Sequence, residues 1–142
     1  MAFLSVNYLS IVIAAVAAWI FGAAYYTALS KPWLAAMGKT MEQCQAEQAG
    51  KQGIAKFAPF ILVFVAELVI AYALYGLLLH MGQYTVRAGI ISAAICWFGF
   101  VLTTIAVNNA FSGRKAMLTV IDGGGWLGAF LIIGAIVGGM GR

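Results

Sequence analysis

Four apolar stretches, each long enough to cross a lipid bilayer, fill most of this 142-residue chain. They cover about 8–29, 57–80, 88–111 and 116–140, and Glu67 and Asp122 are the only Asp, Glu, Lys or Arg inside them. A hydrocarbon core about 30 Å thick takes roughly 20 helical residues, and each stretch meets that length. Lipid offers no partner to backbone N–H and C=O groups, so each stretch must satisfy its own as a continuous helix. The expected fold is therefore an all-α, four-transmembrane-helix bundle, with residues 1–142 forming one membrane domain and residues 30–56 its only extended polar loop.

Composition excludes the soluble alternatives. With 64% hydrophobic and 8% charged residues, the chain is far from the roughly 45–50% apolar and about 25% charged makeup of water-soluble domains. The first apolar stretch has small residues near its end (Gly22, Ala23, Ala24), as a cleaved leader would. Its first basic residue, Lys31, follows the apolar run instead of preceding it, so the stretch is expected to remain as a span.

The loop has local structure written into it. Ser30, Lys31 and Pro32 mark the end of the first span, and Pro32, Trp33, Leu34 and Met37 suit a short segment at the membrane interface. Thr40 and Gln43 form a Thr-x-x-Gln capping box, with Glu42 in the first turn and Gly50 as a stop. Cys44 in this loop and Cys96 within an apolar span differ in depth by about 15 Å, half a bilayer. That separation argues against a disulfide, which needs Cα atoms within about 7 Å.

The basic residues order the loops by side. Lys31, Lys39, Lys51, Lys56, Arg114 and Lys115 fall on one side of the membrane, and Arg87 and Arg142 on the other. The positive-inside rule then places the first and third loops in the cytoplasm and both termini outside. These residues do not interleave with surface aromatics, so nucleic acid is not an expected partner. The expected partners are the lipid bilayer and either further copies of the chain or a larger membrane complex.

Several motifs carry a family resemblance. They are Trp19-Ile-Phe-Gly22-Ala-Ala-Tyr25-Tyr26, Lys31-Pro-Trp33 with Gly38, Trp97-Phe-Gly99-Phe100, Asn108-Asn109-Ala-Phe111-Ser-Gly113-Arg114, and Asp122. As a set they resemble the bacterial membrane proteins grouped as domain of unknown function 1761, over nearly the whole chain. The resemblance implies a four-span protein of the bacterial inner membrane and implies no activity. Glu67 lies outside the motifs that carry it.

Glu67 is the first candidate for chemistry. It stands ten residues into the second span, about 15 Å deep and near the bilayer centre. No basic residue lies at that depth, and apolar surroundings favour the neutral acid. One reading makes it a proton or substrate site, as intramembrane acids commonly are. The other makes it a permanently neutral hydrogen-bond donor to a neighbouring helix. A second group gathers nearer the basic side: Tyr25, Tyr26, Thr103, Thr104, Asn108, Asn109 and Asp122, within about 5–12 Å of the interface by helical rise. Lys115 or an asparagine amide is the expected partner of Asp122. The group reads either as a polar vestibule or as interhelical hydrogen-bond glue with an aromatic belt.

Small residues are the third signal. Ala14, Ala18 and Gly22 recur every four residues, as do Gly89 with Ala93, Gly124 with Gly128, and Gly134 with Gly138. Such spacing lets helices pack closely in lipid, and the surplus on the fourth span suggests a homo-oligomeric seam. The run Gly123-Gly124-Gly125 could instead unwind and turn carbonyls toward a cation. Lone His80 has no ligand set around it, and no nucleophile elbow, phosphate loop, zinc or haem motif is present, so no metal or cofactor is expected. Three functions stay open at this point. They are a proton-linked transporter or channel working as an oligomer, an accessory subunit of a larger membrane complex, and a lipid-directed enzyme resting on Asp122 alone.

Overall fold

A computed structural model describes residues 5–141, and all regular structure within it is helical. The first span is α1 (Tyr8–Ala28), the second α4 (Ala58–Met81) and the fourth α7 (Ala116–Met140). The third runs from Val86 to Phe111 as α5 (Val86–Cys96), a π-helical stretch (Trp97–Leu102) and α6 (Thr103–Phe111). All four are long and apolar enough to cross a membrane, so the chain is a multi-pass membrane protein of the all-α class. Each span begins and ends within about two residues of the expected limits, because apolar length and interfacial breaks dictate both.

Between the first two spans, Leu29 interrupts the helix and α2 (Ser30–Met37) starts afresh. Pro32 occupies the first turn of α2, where its missing N–H costs no intrahelical bond. Gly38 ends that helix in the left-handed conformation at φ 71°, a backbone that glycine adopts without strain. In α3 (Met41–Ala49) the capping box is complete: the Gln43 amide N–H donates to Thr40 Oγ1 at 3.1 Å, and the Thr40 N–H donates to Gln43 Oε1 at 2.9 Å. A short 3-10 turn (Gly53–Lys56) then leads into α4.

The two ends of the bundle are distinct. At one end, Lys115 Nζ donates to the Ala35 carbonyl at 3.4 Å, which joins the third loop to the first. At the other, Asn7 Nδ2 donates to the Met140 carbonyl at 2.6 Å, and the Tyr75 hydroxyl lies 3.4 Å from the Ser5 carbonyl it donates to. Six basic residues therefore share one end, while Arg87 sits by the opposite turn. Arg142, counted with Arg87 in the sequence, lies outside the described residues.

Helix α7 is the hub. Of its most apolar stretch 44% is buried, against 28% for α1 and α4 and 11% for the third span. The core joins Ile11, Ala14 and Ala18 of α1 to Ala71, Leu74 and Leu78 of α4, and both to Ala129, Phe130, Ile133 and Val137 of α7. The paired small residues are consumed inside the protomer. A Cβ on Gly134 would collide with the Gly89 carbonyl and stand 2.7 Å from Ala93 Cβ, and one on Gly138 would collide with the Thr85 carbonyl. Gly128 faces the Phe21 ring at a distance that leaves no room for a Cβ. Ala14 and Ala18 are fully buried, whereas Gly22 meets no atom within 4 Å of where its Cβ would stand. The fourth-span glycines thus serve α1 and α5, and they leave no surplus that would argue for a second copy.

Candidate functional site

Two sites within the spans bring ionisable side chains into the bundle, among the described residues. The first is Glu67 on α4, 2% exposed. It shares the stripe Glu67, Ala71, Leu74 and Leu78, spaced i, i+4, i+7 and i+11, which faces the core. Its level follows from two contacts between antiparallel α1 and α4: Trp19 Nε1 donates to the Phe60 carbonyl at 3.2 Å, and the Asn7 N–H donates to the Tyr75 hydroxyl at 3.2 Å. Interpolation sets Glu67 beside Ile13 and Ala14, near the middle of α4 and about a third of the way along α1. The packing around that level is apolar, and Glu67 Oε2 has no hydrogen-bond partner. Glu67 therefore points into its own protomer, so a path between protomers would not be lined by it.

The second site is at the basic end, where α1 meets the start of α7. The Tyr26 hydroxyl donates to Asp122 Oδ1 at 2.8 Å, and the Tyr25 hydroxyl donates to the Ile121 carbonyl at 2.7 Å. From the other side, Trp97 Nε1 donates to the Gly123 carbonyl at 2.8 Å. The rings of Tyr25, Tyr26 and Trp33 follow one another edge to face, with centroids 5.2 and 6.2 Å apart. Leu29, Ala36 and Met37 close the cluster against Leu118 and Ile121.

The glycine run belongs to this site, with a role different from unwinding. Helix α7 passes through Gly123-Gly124-Gly125 without a break. A Cβ on Gly124 would stand 2.7 Å from the Tyr25 hydroxyl, and one on Gly125 would stand 3.1 Å from the Tyr25 ring and 3.2 Å from the Tyr26 hydroxyl. The run is the seat into which two tyrosines of α1 pack.

The expected polar group divides. Tyr25, Tyr26 and Asp122 come together. Buried Asn109 instead donates to Thr119 Oγ1 at 3.0 Å, one turn before Asp122 on α7. Asn108 points the other way, sharing a shallow outward groove with Thr103, Thr104 and Val107. The threonines bond back to their own helix, Thr103 to the Gly99 carbonyl at 2.9 Å and Thr104 to the Phe100 carbonyl at 2.5 Å, within the π-helical stretch. Consecutive helical residues point about 100° apart, so equal depth does not make Asn108 and Asn109 neighbours. The expected partners of Asp122 also change: Tyr26 holds it, while Lys115 is tied to Ala35 and Asn109 to Thr119. Trp97 and Thr119 were not singled out for this network. An indole N–H inside an apolar run always needs an acceptor, and that was the signal for Trp97.

A four-helix membrane bundle with a tyrosine–aspartate network at its basic end defines the class. The chain belongs to the family described as Protein of unknown function (DUF1761), whose model matches residues 9–138. No curated protein and no solved structure matches the chain. The motif residues Tyr25, Tyr26, Trp33, Trp97 and Asp122, scattered over nearly 100 positions, all meet in this one network.

Proposed function

We propose that this protein is a small proton-linked transporter of the bacterial inner membrane, with both termini outside and Glu67 as the residue that gains and loses the proton. The observation that carries this reading is the unpartnered Oε2 of a fully buried carboxyl midway along a span. A polar atom left without a partner in apolar surroundings costs on the order of 1–3 kcal/mol, and packing alone would be served better by leucine. The Tyr26–Asp122 pair is the way in. It lies at the cytoplasmic end, about 18 Å from Glu67 by the roughly twelve residues that separate their levels along α7. The arrangement is an occluded one, and water reaches Glu67 only when α1 or α4 shifts against α7.

Infrared difference spectra of the protein in liposomes test this. The carbonyl stretch of a protonated carboxyl should disappear as pH is raised, and Glu67→Gln should remove that signal. Proton flux into liposomes driven by a potassium diffusion potential should fall to the background of empty liposomes in the same variant. Glu67→Leu should also lose the flux while raising the thermal midpoint. A carboxyl band that never titrates, with flux unchanged in both variants, would refute the reading.

One observation favours an accessory role. The third span exposes Asn108, whose side chain has no hydrogen-bond partner among the described residues, on the least buried helix of the bundle. An amide on such a face is suited to a helix of another protein. Recovery of the chain only as a stoichiometric component of a larger assembly would establish that role in place of transport.

A further inference from the structure

Between α1 and α4, on the surface that faces lipid, runs a groove of about 500 Å³ lined by Val16, Trp19, Phe57, Phe60, Ile61 and Phe64. That volume is in the range of small-molecule sites. Its origin is local. The Trp19 and Phe64 rings meet edge to face at 6.1 Å and set the spacing of the helices. One turn beyond Trp19, Gly22 has no side chain and Ala23 only a methyl to fill the gap. The Trp19 N–H is committed to the Phe60 carbonyl, so this wall offers no free donor to a polar guest. A hydrocarbon chain suits such a lining.

The end of the groove is charged. Phe57 follows Lys56 directly, at the end of the 3-10 turn that brings the chain back to the membrane. The loop from 30 to 56 carries four lysines against Glu42 and Glu47, and among the described residues only Lys39 is ion-paired, to Glu47 at 3.0 Å. Lys31, Lys51 and Lys56 are all exposed and balanced by no carboxylate. From Phe57 to Phe64 the groove descends about 10 Å by helical rise, the depth of an upper acyl chain.

We infer that this groove is a binding site for an anionic phospholipid, with an acyl chain along the Trp19–Phe64 wall and the phosphate beside Lys56. Apolar grooves between spans fill with any lipid. Lys56, next to Phe57 at the mouth of the groove, is what selects an anionic headgroup, since a lysine near an anionic surface strengthens such attraction. This inference stands apart from the role of Glu67.

Native mass spectrometry of the detergent-solubilised protein, with dioleoyl phosphatidylglycerol and dioleoyl phosphatidylcholine added in equal amounts, decides the matter. The wild type should retain one phosphatidylglycerol in preference. Ile61→Trp, which fills the groove, should lose the retained lipid of either kind. Lys56→Gln lies outside the bundle's packing and should keep the adduct, while cutting the preference for phosphatidylglycerol about fivefold, the factor equivalent to one lysine at an anionic surface. Circular dichroism checks that both variants fold, and if Ile61→Trp does not, Lys56→Gln decides alone. Equal retention of both lipids by the wild type would overturn the inference, as would a preference unmoved by Lys56→Gln. A dimer that Ile61→Trp splits would overturn it too, by assigning the groove to a second copy.

Discussion

The third and fourth spans are similar in length and hydropathy, at 26 and 25 residues with hydropathies of 2.2 and 1.9, yet they stand in opposite relations to the rest of the molecule. In α7, 44% of the apolar stretch is buried and glycine occurs wherever another helix presses close; in the third span 11% is buried and Phe98, Phe100 and Phe111 project outward. Hydrophobicity therefore does not tell a hub from a periphery in a membrane bundle, because lipid and protein interior are equally apolar. Side-chain size does. Small residues allow the backbones to approach, and close approach is what lipid cannot supply.

The largest test of that contrast is Gly134→Leu. The new side chain meets the Gly89 backbone and Ala93, so a loss of about 3 kcal/mol or more is expected, seen as failure to recover a folded bundle. The same change at Gly99, which has no atom within 4 Å of a Cβ, should alter stability by less than about 1 kcal/mol. Equal sensitivity of the two positions in thermal melts would erase the distinction between the spans.

Where the third span does touch the hub, Trp97 is the link. Trp97→Phe removes the indole bond to the Gly123 carbonyl, which keeps its own intrahelical partner, and with it part of the packed ring; the change should cost about 1–2 kcal/mol, measured as a lowered thermal midpoint in micelles. Tyr26→Phe removes one bond to a half-buried carboxylate and should cost about 1 kcal/mol. A drop larger than that of Trp97→Phe would mean that α1, not the third span, holds the basic end together. At the small end, Gly22→Ala should stabilise by about 0.5–1 kcal/mol, since α1 gains helix propensity at a position with free space. Destabilisation there would reveal a close neighbour at Gly22.

Much of this was legible in the residues. Span limits, the Thr40 capping box and the segregation of basic loops all follow from local chemistry, and local chemistry is what one sequence records. Which way a side chain turns was harder to read. Asn108 and Asn109 have the same depth and different partners, and only the packing of α6 on α7 separates them. The glycine run admitted two readings because a gap and a seat have the same sequence, and the tyrosines that fill it lie almost 100 residues away. The π-helical stretch left no trace, since Trp97–Leu102 has the composition of any apolar helix. The place of Glu67 near the middle of the second span follows from the sequence, whereas its inward direction and unpaired oxygen depend on where α1 and α7 run.

The hub, α7, is made after the three spans that it joins. Spans inserted in order of synthesis enter the bilayer one by one, and the first three do so before the helix that joins them exists. Tyr25 and Tyr26 wait for acceptors 96 residues downstream, and Asn7 for one 133 residues downstream. Until α7 arrives, Glu67 lacks the apolar neighbours that α7 supplies, and the earlier spans meet only through contacts such as those of Trp19 and Asn7 with α4. The bundle closes as a single late event, and a chain cut short before Ala116 would reach the membrane without ever forming its core.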